Sequence, residues 1–211
     1  MEKSHFIIAK EGWLFLTIAF FISALLTYIQ NPLSWIAWIV TLFILQFFRD
    51  PNRTKPIKKN VVLSAADGKV IAIEKMTNPY TNKKSIKVSV FMNVFNVHSN
   101  KCPIDGKIIE KHYFPGKFLN ASLSKASSEN ERCAITIETK DKKIITCVQI
   151  AGLIARRILC YKNKGDDIKA GERYGFIKFG SRVDLYLPTN ALIKVNLGQT
   201  VKNTESIIAT I

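Results

Sequence analysis

The sequence predicts a mostly β protein, an antiparallel β-sandwich or barrel preceded by an N-terminal transmembrane or re-entrant helical hairpin. Three observations predict this class. No charged residue occurs from Gly12 to Phe48, a basic segment follows, and after Lys59 the chain changes to short apolar runs separated by turn residues. We therefore expect a membrane-anchoring helical hairpin at 1–50 and a β-rich domain at 51–211.

The uncharged region divides at Gln30-Asn31-Pro32, a polar turn whose proline suits the start of a helix. The segments on either side, Gly12–Ile29 and Leu33–Phe48, are each near the lower length limit for crossing a hydrocarbon core of roughly 30 Å. Cations follow the second segment but not the turn, so we expect both ends of the hairpin in the cytoplasm. The alternatives are two buried helices of a soluble fold and a hairpin that dips into one leaflet.

The positive charge lies entirely outside the hairpin. Residues 1–48 contain two cations and two anions, so 49–211 hold 31 − 2 = 29 Lys/Arg, 16 − 2 = 14 Asp/Glu and the whole net charge of +15. A domain this basic favours an acidic partner. The cations are mostly lysines scattered through strands, which is atypical of nucleic-acid binding, so anionic lipid is the expected partner. No cysteine pair has the spacing of a zinc site, and no metal is expected.

Each apolar run after Lys59 has the length and alternation of a β-strand. Turn signals such as Asp67-Gly68, Asp105-Gly106 and Pro115-Gly116 separate the runs, which favours antiparallel pairing. A short helix is expected only around Phe118–Ser128. The predicted strands are Val61–Ala65, Lys69–Glu74, Ser85–Phe91, Lys107–Tyr113, Cys133–Thr139, Ile144–Ile150, Arg156–Tyr161, Tyr174–Phe179 and Val183–Leu187.

A weak internal repeat relates Gly165–Glu172 to Gly198–Glu205, with glycine, a β-branched residue, lysine and glutamate recurring in order. The unit resembles the turn-and-strand element of lipoyl/biotinyl hammerhead sandwiches, so two copies could pair as quasi-symmetric halves. No lysine at a hairpin tip is flanked by Asp or Met, which argues against a lipoyl or biotinyl carrier.

Four ordered segments resemble the phosphatidylserine decarboxylases, in particular their short bacterial and archaeal branch (type A). The most specific is Gly171–Pro188, which contains Phe-Gly-Ser-Arg-Val-Asp, the sequence in which that branch is cleaved. The resemblance covers essentially residues 60–190 in the family's order. The other three segments are Ala66–Val70, Phe91–Gly106 (with Asn96-Val97-His98 and Pro103-Ile104-Asp105), and Tyr113–Asn120 followed by Asn130-Glu131-Arg132.

The chemistry at Gly180-Ser181 can also be derived from the residues. Gly180 has no side chain to crowd its carbonyl, so a tight turn can present that carbonyl to the Ser181 hydroxyl. Attack by the hydroxyl shifts the acyl group from nitrogen to oxygen. Loss of the Ser181 α-proton and β-elimination then leave a dehydroalanine, which hydrolyses to a pyruvoyl group. The products would be chains 1–180 and 181–211.

The resemblance implies that this covalent pyruvoyl cofactor decarboxylates phosphatidylserine. It would form a Schiff base with the serine headgroup and release phosphatidylethanolamine and CO2, with no metal or dissociable cofactor. The implied partners are phosphatidylserine, membrane lipids and the two cleavage chains as a heterodimer, which further oligomerisation could extend. The implied location is the bacterial inner membrane, with the β-rich catalytic domain on the cytoplasmic side.

His98 and Asp67 are the predicted catalytic partners of Ser181. A serine hydroxyl needs a base, and His98 lies in a matched segment, although it could be an ordinary core histidine. Asp67 could be a turn-former, whereas the resemblance implies that it orients or stabilises the base. Longer family members carry two histidines three residues apart, and here Lys101 stands at the second position. Either His98 serves both cleavage and decarboxylation, or Lys101 or another group assists cleavage.

Arginines are candidates for binding the phosphate and carboxylate of the substrate, because their guanidinium groups bind oxyanions in bidentate fashion. The candidates are Arg156, Arg157 and Arg182. A non-enzymatic membrane adaptor with a hammerhead-like β-sandwich is the alternative of another class, and it requires neither cleavage nor Ser181. An enzyme that acts on a different amino-bearing substrate is the closer competitor.

Overall fold

The computed structural model describes residues 7–123, 125–153, 157–178 and 181–211. The chain divides into two compact units, Met1–Asn52 and Arg53–Ile211. We call the first the hairpin unit and the second the β unit.

The hairpin unit contains helix α1 (Trp13–Tyr28) and helix α2 (Ser34–Phe47), so the two predicted helices are confirmed to within one residue at each end. With the 3-10 turn before it, α1 forms a helical stretch, Lys10–Tyr28, that is long and apolar enough to cross a membrane, whereas α2 is shorter. The buried hydroxyl groups of Ser23 and Thr41 lie 3.0 Å apart between the helices. Small polar residues that pair in this way allow close helix packing in an apolar environment.

The β unit contains one eight-stranded and two three-stranded antiparallel sheets, which confirms the mostly β class. The strand orders are β13-β2-β3-β11-β7-β6-β5-β9, β1-β14-β12 and β4-β10-β8. The strands are β1 (Val61–Leu63), β2 (Gly68–Thr77), β3 (Lys84–Met92), β4 (Ser99–Lys101), β5 (Gly106–Phe114), β6 (Arg132–Glu138), β7 (Ile144–Ala151), β8 (Ile158–Cys160), β9 (Asp167–Ile168), β10 (Arg173–Ile177), β11 (Ser181–Pro188), β12 (Leu192–Ile193), β13 (Thr200–Val201) and β14 (Ile207–Thr210).

The short helix α3 (Ala126–Glu129) lies at the C-terminal end of the range expected for it. The preceding residues are held by side chains instead of helical hydrogen bonds. Asn130 Oδ1 accepts the Leu119 amide at 3.0 Å, and Asn120 Oδ1 accepts the Ser122 amide at 3.0 Å. Such local bonds from Asn compete with helix formation.

Strand β11 lies in the middle of the eight-stranded sheet, between β3 and β7. Its side chains alternate between two faces, because successive residues of a strand point to opposite sides. Val183, Leu185 and Leu187 belong to the main apolar core. Tyr186 belongs to a smaller cluster on the opposite face, which also contains Ala126 of α3.

The sequence repeat corresponds to two matching turns. Gly165 and Gly198 have left-handed φ angles of +95° and +84°. Their amides donate to the carbonyl oxygens of Ile108 and Val70 at 2.7 and 2.8 Å. The short strands that follow, β9 and β13, pair with the beginnings of β5 and β2. The two copies are therefore structurally equivalent turn-and-strand units.

Among the cysteines, Cys160 differs from the others because it is only half-buried. The Cys133 thiol hydrogen-bonds to Cys160 and is the largest cause that lowers the pKa of Cys160, to about 7, and the positive charge of Lys111 adds to this effect. Burial raises the pKa of Cys147 to about 12 and also raises that of Cys102. Cys160 is therefore the more acidic of these thiols.

Candidate active site

Ser181 is the first residue of β11 and lies opposite Met92 of β3 and Ala151 of β7. The residue is completely buried, and its hydroxyl has no hydrogen-bond partner among the described residues. Buried hydroxyl groups are normally paired, so an unpaired one is a sign of a functional role. Gly180, the other half of the predicted cleavage site, lies outside the described residues.

Ser181 shares the core-facing side of the sheet with Met92 and with Gln149, and the β4-β10-β8 sheet covers this side. The Asn100 amide on β4 donates to Met92 Sδ at 3.9 Å. The same Asn100 accepts a hydrogen bond from Gln149 Nε2 at 2.8 Å. Asn100 therefore joins the two sheets beside the residue that pairs with Ser181.

His98 immediately precedes β4 and is completely buried. Its carbonyl oxygen accepts the amide of Ile177 at 3.3 Å. Ile177 precedes Ser181 by four residues, which span at most roughly 14 Å. Strand alternation puts the His98 side chain on the same side of β4 as Asn100. The structure thus brings His98 to the side of the β4-β10-β8 sheet that faces Ser181.

The His98 ring has a defined tautomer when it is neutral. Its Nδ1 lies 2.9 Å from the carbonyl oxygen of Asn96, and a carbonyl oxygen can only accept, so Nδ1 must donate. In the neutral ring Nε2 is then the basic nitrogen. The ring also packs against Phe176, with centroids 6.5 Å apart.

Asp67 lies in the turn before β2 and is buried. Arg53 forms a bidentate ion pair with its carboxylate, with Nη2 to Oδ2 at 2.7 Å. The amide of Asn203 donates to Oδ1 at 2.8 Å, and the Asn203 side chain donates to the carbonyl oxygen of Ser99 at 3.0 Å. Within the described part of the chain, Asp67 has no hydrogen bond to His98. The structure links the two residues through Asn203 and the backbone of β4 instead.

Lys101 and the arginines occupy different environments. Lys101 is buried at the end of β4, and alternation puts its side chain on the opposite side of that strand from Asn100. Arg182 points away from the Ser181 side of β11 and binds Asp184 through Nε at 2.7 Å and Nη2 at 2.8 Å. The structure therefore does not bring Arg182 to the Ser181 hydroxyl. Arg157 is exposed, and Arg156 lies outside the described residues.

Sequence reasoning gave no role to Asn130, which supports the site from the outer side. Its side-chain amide donates to the carbonyl oxygens of Leu119 and Ala151, both at 2.7 Å. Ala151 is a pairing partner of Ser181. Asn130 was part of a matched segment, but its contacts are long-range and have no local signal. The same holds for Arg53 and Asn203.

The site has no metal centre among the residues that the structure describes. No group of three or more His, Cys, Asp or Glu side chains there is arranged to hold a metal ion. Its chemistry therefore has to come from Ser181 and the polar groups around it.

Comparison with known proteins agrees with this geometry. The family model for phosphatidylserine decarboxylase matches residues 40–209. The chain is 53% identical to the phosphatidylserine decarboxylase proenzyme of Cupriavidus pinatubonensis, over 99% of this chain and 97% of that protein. It is 50% identical to that of Paraburkholderia phymatum, over 99% of both chains, and 51% identical to that of Ralstonia nicotianae, over 97% and 96%.

These relatives are bacterial, and each is named as the precursor of an enzyme. The similarity extends over nearly the whole chain, so it includes the hairpin as well as the β unit. It supports the enzymatic interpretation over the membrane adaptor. The chain belongs to the phosphatidylserine decarboxylase family.

Proposed function

We propose that this chain is a self-processing enzyme that converts phosphatidylserine to phosphatidylethanolamine and CO2 with a pyruvoyl group made from Ser181. The observation that carries the proposal is the buried, unpaired hydroxyl of Ser181 on the side of β11 that faces β4. The names of the relatives supply the substrate class.

Processing would begin when Ser181 Oγ attacks the carbonyl carbon of Gly180. The Gly180–Ser181 amide bond breaks, an ester bond to Oγ forms, and the Ser181 nitrogen becomes a free amine. Removal of the Ser181 α-proton then expels the Gly180 carboxylate from the β-carbon. Water adds to the remaining enamine after tautomerisation, ammonia leaves, and the new chain starts with a pyruvoyl group. No oxidant or metal is required for this sequence.

The surroundings of Ser181 fit such a group. The position is buried and has polar amide groups on its side of the sheet, Asn100 and Gln149, with the Gln149 Oε1 unpaired among the described residues. When formed, the group supplies an electrophilic carbonyl that takes up the headgroup amine and accepts the electrons released with CO2. Burial favours this chemistry, because water and competing nucleophiles are excluded.

His98 would hold and move the protons. Its Nδ1 is fixed by the Asn96 carbonyl oxygen, so Nε2 would accept the proton of Ser181 Oγ during cleavage. In the mature enzyme the same nitrogen would return a proton to the substrate α-carbon. Asp67 would act as a positioning residue, because it holds Asn203, which in turn holds the Ser99 carbonyl next to His98.

Lys101 would assist cleavage as a fixed positive charge, since its buried position close to His98 in the chain favours an influence through the electric field. For the phosphate and carboxylate of the substrate, the exposed Arg157 is the better candidate, together with Arg156. Arg182 is already bound to Asp184 and would have a structural role.

The two cleavage products would stay together as a heterodimer. The chain 181–211 contributes β11, β12, β13 and β14, and β11 remains hydrogen-bonded to β3 on one side and β7 on the other. Val183, Leu185 and Leu187 would remain in the main core. Separation would expose this apolar surface, at a cost of about 25 cal/mol per Å².

The hairpin unit would hold the enzyme at its lipid substrate. Helix α1 is long and apolar enough to cross a membrane, and cations follow α2 in the sequence. Under the positive-inside rule this arrangement supports the bacterial inner membrane as the location, with the β unit on the cytoplasmic side.

Intact-mass spectrometry of the purified full chain beside its Ser181→Ala variant tests the processing step. The expected result is two chains, 1–180 and 181–211, with the smaller one blocked by a pyruvoyl group and the variant left whole. The purified enzyme should also release CO2 from phosphatidylserine in vesicles, and the variant should not. An active protein that consists of one unmodified 211-residue chain would overturn the proposal.

A further inference from the structure

Large apolar side chains are exposed at one end of the β unit, where they form what we call the apolar rim. Exposure of bulky apolar groups in one region of a surface indicates contact with a partner or a membrane. The rim consists of Phe95 (64% exposed), Tyr113 (57%), Phe118 (36%), Leu123 (53%) and Leu153 (68%).

Strand register shows that the rim lies at the end of the sheet that carries Ser181. Ser181 pairs with Met92 and Ala151, and the loops that follow these residues carry Phe95 and Leu153. The carbonyl oxygen of Leu123 accepts a hydrogen bond from Arg182, the neighbour of Ser181, at 3.2 Å.

The remaining rim residues lie at the same end through the pairing of β5, β6 and β7. Arg182 pairs with Ile150, Ile150 with Arg132, and Arg132 with Phe114. Tyr113 precedes Phe114, and Phe118 follows it by four residues. Loops from several strands therefore bring their apolar side chains to one end.

We infer that the apolar rim inserts into the interfacial region of an anionic lipid bilayer and so brings Ser181 to the headgroup of a membrane-embedded substrate. Aromatic and leucine side chains favour this depth of a bilayer. The rim also has cations beside it, since Lys125 and Arg157 are exposed on the same loops. Basic residues next to inserted apolar groups match a surface that carries anionic lipids.

The opposite end of the β unit has a different character. A cavity of about 320 Å³ there has five lysines in its lining and includes the β6–β7 turn. That turn precedes Ile144, whereas Ser181 pairs with Ala151, so strand β7 separates the two places by roughly 23 Å. A flat bilayer cannot contact both ends. The lysine-lined end is the rival membrane surface, and its lysines are Lys55, Lys58, Lys59, Lys140 and Lys143.

The choice between the ends rests on the proposed function. A diacyl lipid keeps its chains in the bilayer, so its headgroup can reach a buried reactive group only if that group lies close to the membrane surface. Only the rim end places Ser181 there. Membrane contact by the rim is nonetheless a physical property that can be measured without turnover.

Hydroxyl-radical footprinting of the full-length Ser181→Ala chain in nanodiscs of phosphatidylglycerol and phosphatidylcholine provides that measurement. Leu192 is the matched reference, because it is the same residue type, is 64% exposed and lies on β12. We expect oxidation of Leu153 and Leu123 to be at least fivefold lower than that of Leu192. Equal oxidation of the three leucines would overturn the inference, as would protection of Lys140 and Lys143 from acylation while Leu153 remains reactive.

A second experiment measures the consequence for the reaction in the processed enzyme. Turnover is compared on vesicle-embedded phosphatidylserine and on a short-chain, water-soluble phosphatidylserine. The ratio of vesicle to short-chain turnover should fall several-fold in Leu153→Ser and stay at the parent value in Leu192→Ser. An unchanged ratio in Leu153→Ser would contradict the inference. Absence of turnover on both substrates would instead contradict the proposed function, and the footprint would still decide on the rim.

Discussion

Replacing Asp184 with leucine should destabilise the β unit far more than replacing Arg182 and Asp184 together. Both side chains are almost completely buried, at 3% and 1% exposure, and they form a bidentate ion pair on the outer side of β11. Arg182 Nη1 also donates to the carbonyl oxygens of Ala121 and Leu123 at 3.3 and 3.2 Å. The pair thereby holds the segment before α3 against the central strand.

The magnitude follows from the burial. Removing one partner of a buried ion pair leaves an uncompensated charge and costs about 3–5 kcal/mol. For a chain of this size, that loss lowers the melting temperature by about 6–20 °C. Replacing both partners with apolar residues of similar volume, as in Arg182→Met/Asp184→Leu, leaves no stranded charge. We expect that variant to lie within about 2 kcal/mol of the parent, since mainly the two carbonyl contacts are lost.

Circular dichroism melts of the detergent-solubilised full chain, at one fixed scan rate, would measure these differences. The Ser181→Ala background keeps the chain whole, so self-cleavage does not complicate the transition. A double variant that melts as low as Asp184→Leu would refute the reasoning. So would an Asp184→Leu variant within about 2 °C of the parent, because the buried guanidinium would then have been solvated at little cost.

Three further predictions concern the site and the thiols. His98→Ala should lower CO2 release from phosphatidylserine by about 10²–10⁴-fold, and normal turnover in a fully cleaved His98→Ala enzyme would rule out its catalytic role. Asp67→Asn should slow the appearance of chain 181–211 on gels because it breaks the Arg53 ion pair, whereas Asp105→Asn at the equivalent turn should leave the rate unchanged; equal rates for the two variants would contradict the positioning role. Alkylation of Cys160 by iodoacetamide should rise about tenfold per pH unit below pH 7 and level off above it, since its pKa is lowered to about 7 and only the thiolate reacts, while Cys147, with a pKa of about 12, stays unmodified. Mass spectrometry after a short exposure would measure both thiols, and a Cys160 rate that still rises steeply above pH 8 would contradict the lowered pKa.

The long strands were predictable from the sequence because each has a local signal. Strands such as β3 and β7 consist of apolar runs with turn residues at their ends, and a run of this kind is stable mainly as a strand. The short strands β4, β12 and β14 have no comparable signal. They contain two to four residues and exist because distant segments offer them hydrogen-bond partners.

The site was predictable in its chemistry but not in its support. The resemblance identified Ser181 and His98, and the structure brings the backbone of His98 into contact with β10, just before Ser181. The contacts of Arg182 could not be read from its position next to the serine. Alternation along β11 turns its side chain to the other face, where Asp184 binds it. A neighbour in sequence is therefore not a neighbour in the site.

The two equivalent turns show what separates a structural element from a functional one. Asp67 accepts the amide of Asn203 at 2.8 Å, and Asp105 accepts the amide of Ala170 at 2.6 Å, so both carboxylates close the same kind of turn. Only the first turn has a side chain that reaches onward, because alanine has no amide group to bind another strand. Asp67 is also buried with Arg53, whereas Asp105 is exposed and has no ion-pair partner among the described residues. The shared backbone geometry therefore accounts for the repeat in the sequence. The connection from Asp67 to the segment that carries His98 depends on side chains that the repeat does not contain.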